Sequence, residues 1–77
     1  MISLQKKFVI GDRVIVNKEG GWKRNCLGTI CGGPEDVKIL QGSEYYYWVK
    51  FDEPEQDING PHEYSKAQIL SQYIDAL

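Results

Sequence analysis

Between Arg13 and Lys18 apolar and polar side chains alternate, with Val14 and Val16 on one face and Arg13, Ile15 and Asn17 on the other. A period of two is the spacing of a half-buried strand, so this stretch is read as the first strand, opened by the turn pair Gly11-Asp12 and ended by Gly20-Gly21. The following GGWKRN sets one tryptophan among polar and turn-forming residues. It reads as a loop whose Trp22 either pins it to the core or stands exposed at its tip. CLGTICGG is short and β-branched and reads as a second strand, Gly28 marking a bulge or sharp bend. DVKIL follows as a short strand, QGSE as a tight connection, and YYYWVKFD as the return strand of a hairpin. EPEQDINGPH, with two prolines and Asn59-Gly60, reads as an acidic loop over residues 53–63.

The last segment changes period. Ile69, Leu70, Tyr73, Ile74 and Leu77 recur at the three-and-four spacing of a helical face, while Ser71, Gln72 and Asp75 lie opposite. Ser65 and Gln68 stand at the spacing of a capping box, so a C-terminal amphipathic helix over about 66–75 is expected. The competing reading makes KAQIL the last strand of a barrel.

Within SEYYYWVKFD, parity separates Tyr45, Tyr47, Val49 and Phe51 from Tyr46, Trp48, Lys50 and Asp52. The first set is apolar throughout and the second ends in two charges, so the first is expected to face the core. The other face then carries two large rings, Tyr46 and Trp48. Either the C-terminal helix or the Trp22 loop covers them, or they form a contact surface for a partner.

Seventy-seven residues make a single domain, 1–77, with core strands about 9–52. A chain this short buries only about 60% of the surface its unfolded form exposes, so the core is small. Its 42% hydrophobic and 26% charged composition is that of a folded chain rather than a disordered tail. Apolar runs are too short for a membrane span, and MISLQKKFVIGD lacks a leader pattern, which points to the cytoplasm and away from the membrane. Residues 1–38 carry seven basic groups against four acids, and residues 39–77 two against seven. Such polarity can steer a charged partner or hold copies head to tail, but strands that interleave in space scatter it over the surface.

Candidate chemistry is sparse. Cys26 and Cys31, with four residues between them, match no zinc spacing, and His62 is the only histidine. On one strand these thiols would face opposite sides, too far apart for a disulfide. An EF-hand alignment of the acidic loop places Lys66 where a bidentate glutamate is required, which leaves at most an irregular cation site. Nothing ties His62 to a nucleophile, and no phosphate-cradling motif occurs. No catalytic residue, metal or cofactor is therefore assigned.

The turn-bounded GDRVIV opening, the glycine-containing LGTI strand and the long YYWVKFD strand resemble the small SH3-like β-barrels. Within that group the chain is most similar to accessory barrels of photosynthetic organisms, namely the variable chain of ferredoxin–thioredoxin reductase and the small SH3-like barrel of photosystem I. The likeness rests on Gly11 to Val14, Gly28-Thr29 and Val49 to Asp52, and covers about residues 9–52. It implies a barrel of about five short antiparallel strands serving as a non-catalytic, protein-binding accessory subunit or adaptor. Trp22, Tyr46 and Trp48 are the expected anchors, with Lys23, Arg24 and Lys50 setting orientation. A nucleic-acid-binding barrel is the alternative, using the same rings and cations against an isoelectric point near 5.2. A plasmid-type dihydrofolate reductase also resembles the opening, but Ala67-Gln68-Ile69-Leu70 lacks the valine and tyrosine that flank that enzyme's central Gln-Ile.

Overall fold

The computed structural model describes residues 8–39 and 42–77. Residues 1–7 of the opening segment weighed against a leader, and residues 40–41 at the hairpin connection, lie outside these residues. Five antiparallel strands are seen: β1 Arg13–Val16, β2 Cys26–Ile39, β3 Gly42–Gln56, β4 Glu63–Leu70 and β5 Ile74–Ala76. They form one sheet in the order β4-β3-β2-β1-β5. This is a small antiparallel fold compatible with an SH3-like barrel. The sheet is not closed, however: among the described residues no ladder joins β4 to β5, and a 3-10 turn at Ser71–Tyr73 carries the chain between them.

The alternation in β1 is realised directly, since Val14 and Val16 are both fully buried. In β3, Tyr47, Val49 and Phe51 point inward as parity predicts, and Tyr45 packs at the margin of the same cluster. Cys26 and Ile30 from β2, Ile69 from β4 and Ile74 from β5 complete it, with Phe8 before the first strand and Trp22 after it. All five strands thus contribute to one core, which requires the sheet to wrap around it. Phe8 meets Tyr47 edge-on at 5.3 Å between centroids, and its backbone N–H donates to the tyrosine hydroxyl at 3.0 Å.

Three expectations are corrected. The C-terminal helix is absent, and residues 66–75 are instead divided among β4, the 3-10 turn and β5. Two strand ends and one tight turn place Ala67 and Ile69, then Ile74, on the core side, and this sum of periods imitates helical spacing. The acidic loop is shorter than 53–63, because β3 continues to Gln56 and β4 begins at Glu63. Finally, the strands are not uniformly short: CLGTICGG and residues 36–39 of the expected DVKIL strand belong to one β2 of 14 residues, paired with a β3 of 15. Gly32-Gly33-Pro34 interrupts the register without ending the strand, with shifts between Ile30 and Gly32 and between Gly32 and Glu35. Gly28 is not at either irregularity. Its absent side chain serves close approach, since a Cβ there would lie 2.6 Å from the Lys50 carbonyl oxygen and 2.7 Å from Val49 Cγ1.

Candidate binding surface

Because Tyr47, Val49 and Phe51 face the core, Tyr46, Trp48, Lys50 and Asp52 are turned to the outer face of β3. Both rings are half-buried while Lys50 and Asp52 are exposed. Trp48 stands opposite Gly32 on β2 and Gln68 on β4. A Cβ at Gly32 would lie 3.1 Å from Trp48 Cδ1 and 3.2 Å from its Cβ, so the tryptophan lies against bare backbone on that side. On the other, Lys66 Nζ stands 5.5 Å from the ring centroid, within cation–π range. Gln68 Nε2 donates to Glu35 Oε1 at 2.9 Å, and Tyr46 lies between Glu35 and Leu70 in the same register.

Charges on this face fall into two kinds. Arg13 donates from both terminal nitrogens to the two Asp52 oxygens at 2.7 Å, and to Thr29 Oγ1 at 2.8 Å. These hydrogen bonds, reinforced by the guanidinium charge, hold the Asp52 carboxyl below its ordinary pKa and raise that of Arg13. Lys50 and Lys66, in contrast, are paired directly across β3 and β4. Both are exposed, and among the described residues neither makes an ion pair. Like charges set opposite each other on neighbouring strands are mutually unfavourable.

The remaining three sequence candidates lie elsewhere. Trp22 is buried at 8% exposure, edge-on to Phe51 at 5.0 Å and to Tyr64 at 5.8 Å, and its backbone bridges to Asp57. Of the two places open to it, it takes the core. Lys23 joins the end of β3 through its N–H to the Gln56 carbonyl, 3.1 Å, and its ammonium to Gln56 Oε1, 3.3 Å. Arg24 Nε donates to Glu55 Oε1 at 2.8 Å, and its Nη2 lies 3.7 Å from Glu53 Oε1. The structure therefore brings Tyr46, Trp48 and Lys50 together and sets Trp22, Lys23 and Arg24 around the far end of β3.

Glu55, which the sequence assigns to a loop, is only 6% exposed. It sits beside Cys26, whose fully buried thiol donates to the Arg24 carbonyl at 3.3 Å. Burial first, and then the Glu55 carboxylate, pushes that thiol up to about 12. Cys31 is free and exposed, so the two thiols do face opposite ways. Sequence reasoning also passed over Lys66 and Gln68, whose place on the outer face follows from the last-strand reading of KAQIL but not from the helical one. Comparison with family models, with curated proteins and with solved structures returned no match.

Proposed function

We propose that this chain is a non-catalytic accessory subunit or adaptor that binds another protein through the outer face of β3 and β4. Tyr46 and Trp48 supply the anchors, and Lys50, joined by Lys66, sets orientation. The supporting observation is the position of Trp48: a half-buried indole between the Gly32 backbone and a lysine, next to a second lysine without a counter-ion. Rings of this kind, flanked by cations, are the usual energetic centres of protein contacts. Lys23 and Arg24 are already engaged by Gln56, Glu53 and Glu55 and take a lesser part. The likeness of Gly11 to Val14, Gly28-Thr29 and Val49 to Asp52 to the photosynthetic accessory barrels favours the same reading by analogy of fold alone. The cytoplasm is the compartment that goes with it; among the described residues no helix is long and apolar enough to cross a membrane.

The second reading, a small barrel binding single-stranded nucleic acid, draws on the same juxtaposition, since bases stack on exposed rings beside cations. Affinity purification from the native extract, comparing the natural chain with Trp48→Ala, separates the two. The adaptor reading expects a specific protein lost on substitution while the circular dichroism spectrum stays unchanged. Nucleic acid that elutes with salt supports the second reading, and identical recovery with both chains refutes a role for this face.

A further inference from the structure

We infer that the partner presents an acidic segment, and that one of its carboxylates seats between Lys50 and Lys66 while an adjoining apolar side chain covers Trp48. The inference rests on the adaptor reading and specifies the chemistry of the contact. Its first ground is the lysine pair itself. Two lysines stand at directly opposed positions of β3 and β4, both exposed, with no ion pair among the described residues. That arrangement weakens the isolated sheet. An anion placed between the two groups converts repulsion into two charge-assisted contacts. The second ground is adjacency. Lys66 is held over the Trp48 ring, so a carboxylate bound there has an indole beside it, and the neighbouring side chain of an extended segment finds an apolar surface.

The surroundings decide between a short acidic segment and a polyanion. Going from Lys50 along β3 in one direction, the next outward group is Asp52, already neutralised by Arg13. In the other direction, beyond Trp48, lies Glu35, engaged by Gln68. The free positive charge is therefore bounded on both sides by carboxylates. One or two acidic side chains flanked by neutral ones fit this seat, whereas a phosphate backbone running in either direction meets acid. Tight nucleic-acid binding draws on several phosphate contacts at once, and this face offers two unpaired cations.

The test uses fluorescence anisotropy of the whole protein with labelled, end-capped nonapeptides of alternating glutamate and valine, of alternating lysine and valine, and a thymidylate decamer. The glutamate peptide is expected to bind at least tenfold more tightly than the other two, and Lys50→Glu to weaken it at least tenfold. Lys50→Glu together with Lys66→Glu is expected to reverse the preference toward the lysine peptide. A stability measurement gives an independent readout: Lys50→Glu alone, which turns a like pair into an opposite pair, is expected to raise the unfolding midpoint by a few degrees. A decamer that binds most tightly, a glutamate peptide indifferent to both substitutions, or a Lys50→Glu chain with a lowered midpoint would each overturn the inference. So would sedimentation showing that a second copy of the chain occupies this face and excludes the peptide. A protein captured in a Trp48-dependent but Lys50- and Lys66-independent manner refutes the acidic segment and leaves the adaptor reading standing. Capture indifferent to Trp48 refutes both.

Discussion

Replacing Gly28 by alanine tests how tightly β2 and β3 are apposed. The new methyl group would stand 2.6 Å from the Lys50 carbonyl oxygen and 2.7 Å from Val49 Cγ1. To reach even 3.0 Å from the oxygen, backbone must yield by about 0.4 Å, and the fully buried Val49 must turn away as well. Close-packed interiors resist such shifts, and one extra carbon in a filled site costs about 1–3 kcal/mol. The smaller conformational entropy of alanine in the unfolded chain returns about 0.4–1 kcal/mol. The net expectation is a loss of about 1–2 kcal/mol, equivalent for a domain of this size to a fall of roughly 5–15 °C in the unfolding midpoint. Urea titration followed by tryptophan fluorescence reads it as a lower midpoint at unchanged slope. Two other glycines calibrate the measurement. At Gly11 the space is open but φ is +104°, so alanine there carries backbone strain alone. Gly60 has neither obstacle, its nearest neighbour being 3.7 Å from the added carbon, and alanine is expected to be neutral or slightly stabilising. If Gly28→Ala proves as stable as Gly60→Ala, the strands are not apposed as described and the reasoning fails.

Three further outcomes are expected. A thiol reagent should titrate one cysteine per native chain, the exposed Cys31, with the buried Cys26 reacting only in denaturant; rapid reaction of both would contradict the burial of Cys26. Because the Cys26 thiol is pushed up to about 12 in the folded chain and titrates near 8.5 when unfolded, its contribution to stability is intact below pH 8.5 and is lost as pH rises toward 12, by at most about 1.4 kcal/mol per pH unit. Unfolding measured from pH 8 to 11 should show this decline in the natural chain and a shallower one in Cys26→Ala, and equal slopes would remove the effect. The carboxyl of Asp52, held down by Arg13, should titrate in an NMR series below its ordinary range and move upward in Arg13→Gln; stability from this group is present above the unfolded value and falls as pH drops through the lowered one, and an unmoved midpoint would dissociate the pair.

The elements legible in the sequence were those whose one face is buried and whose other is polar. Val14 and Val16 in β1, and Tyr47, Val49 and Phe51 in β3, announce their direction because a single parity carries all the apolar groups. The C-terminal segment misleads because it is interrupted: Ile69 and Ile74 both reach the core, but the 3-10 turn between them resets the phase, and neither spacing continues long enough to be told from a helix. Gly32-Gly33-Pro34 looks like a terminator, yet β2 passes through it because β3 supplies partners on both sides of the irregularity. Glu55 was invisible as an inward group, since a carboxylate between prolines and acids reads as solvated; only the fold brings Arg24 to it. For the outer face, Tyr46, Trp48 and Lys50 followed from parity alone. Lys66 and Gln68 did not, because which strand lies beside another is a long-range fact.

The shortest strand has a kinetic meaning. Pairing Val16 with Ile74 closes a span of 58 residues. For a flexible chain such a closure costs on the order of 3–4 kcal/mol, more than a three-residue ladder returns by itself. β5 is therefore expected to be held by the seating of Ile74 and to fasten as a clasp only after the hairpin of β2 and β3 has assembled. Amide exchange at residues 74–76 should accordingly outpace that of the central strands, making the tail the point at which unfolding begins.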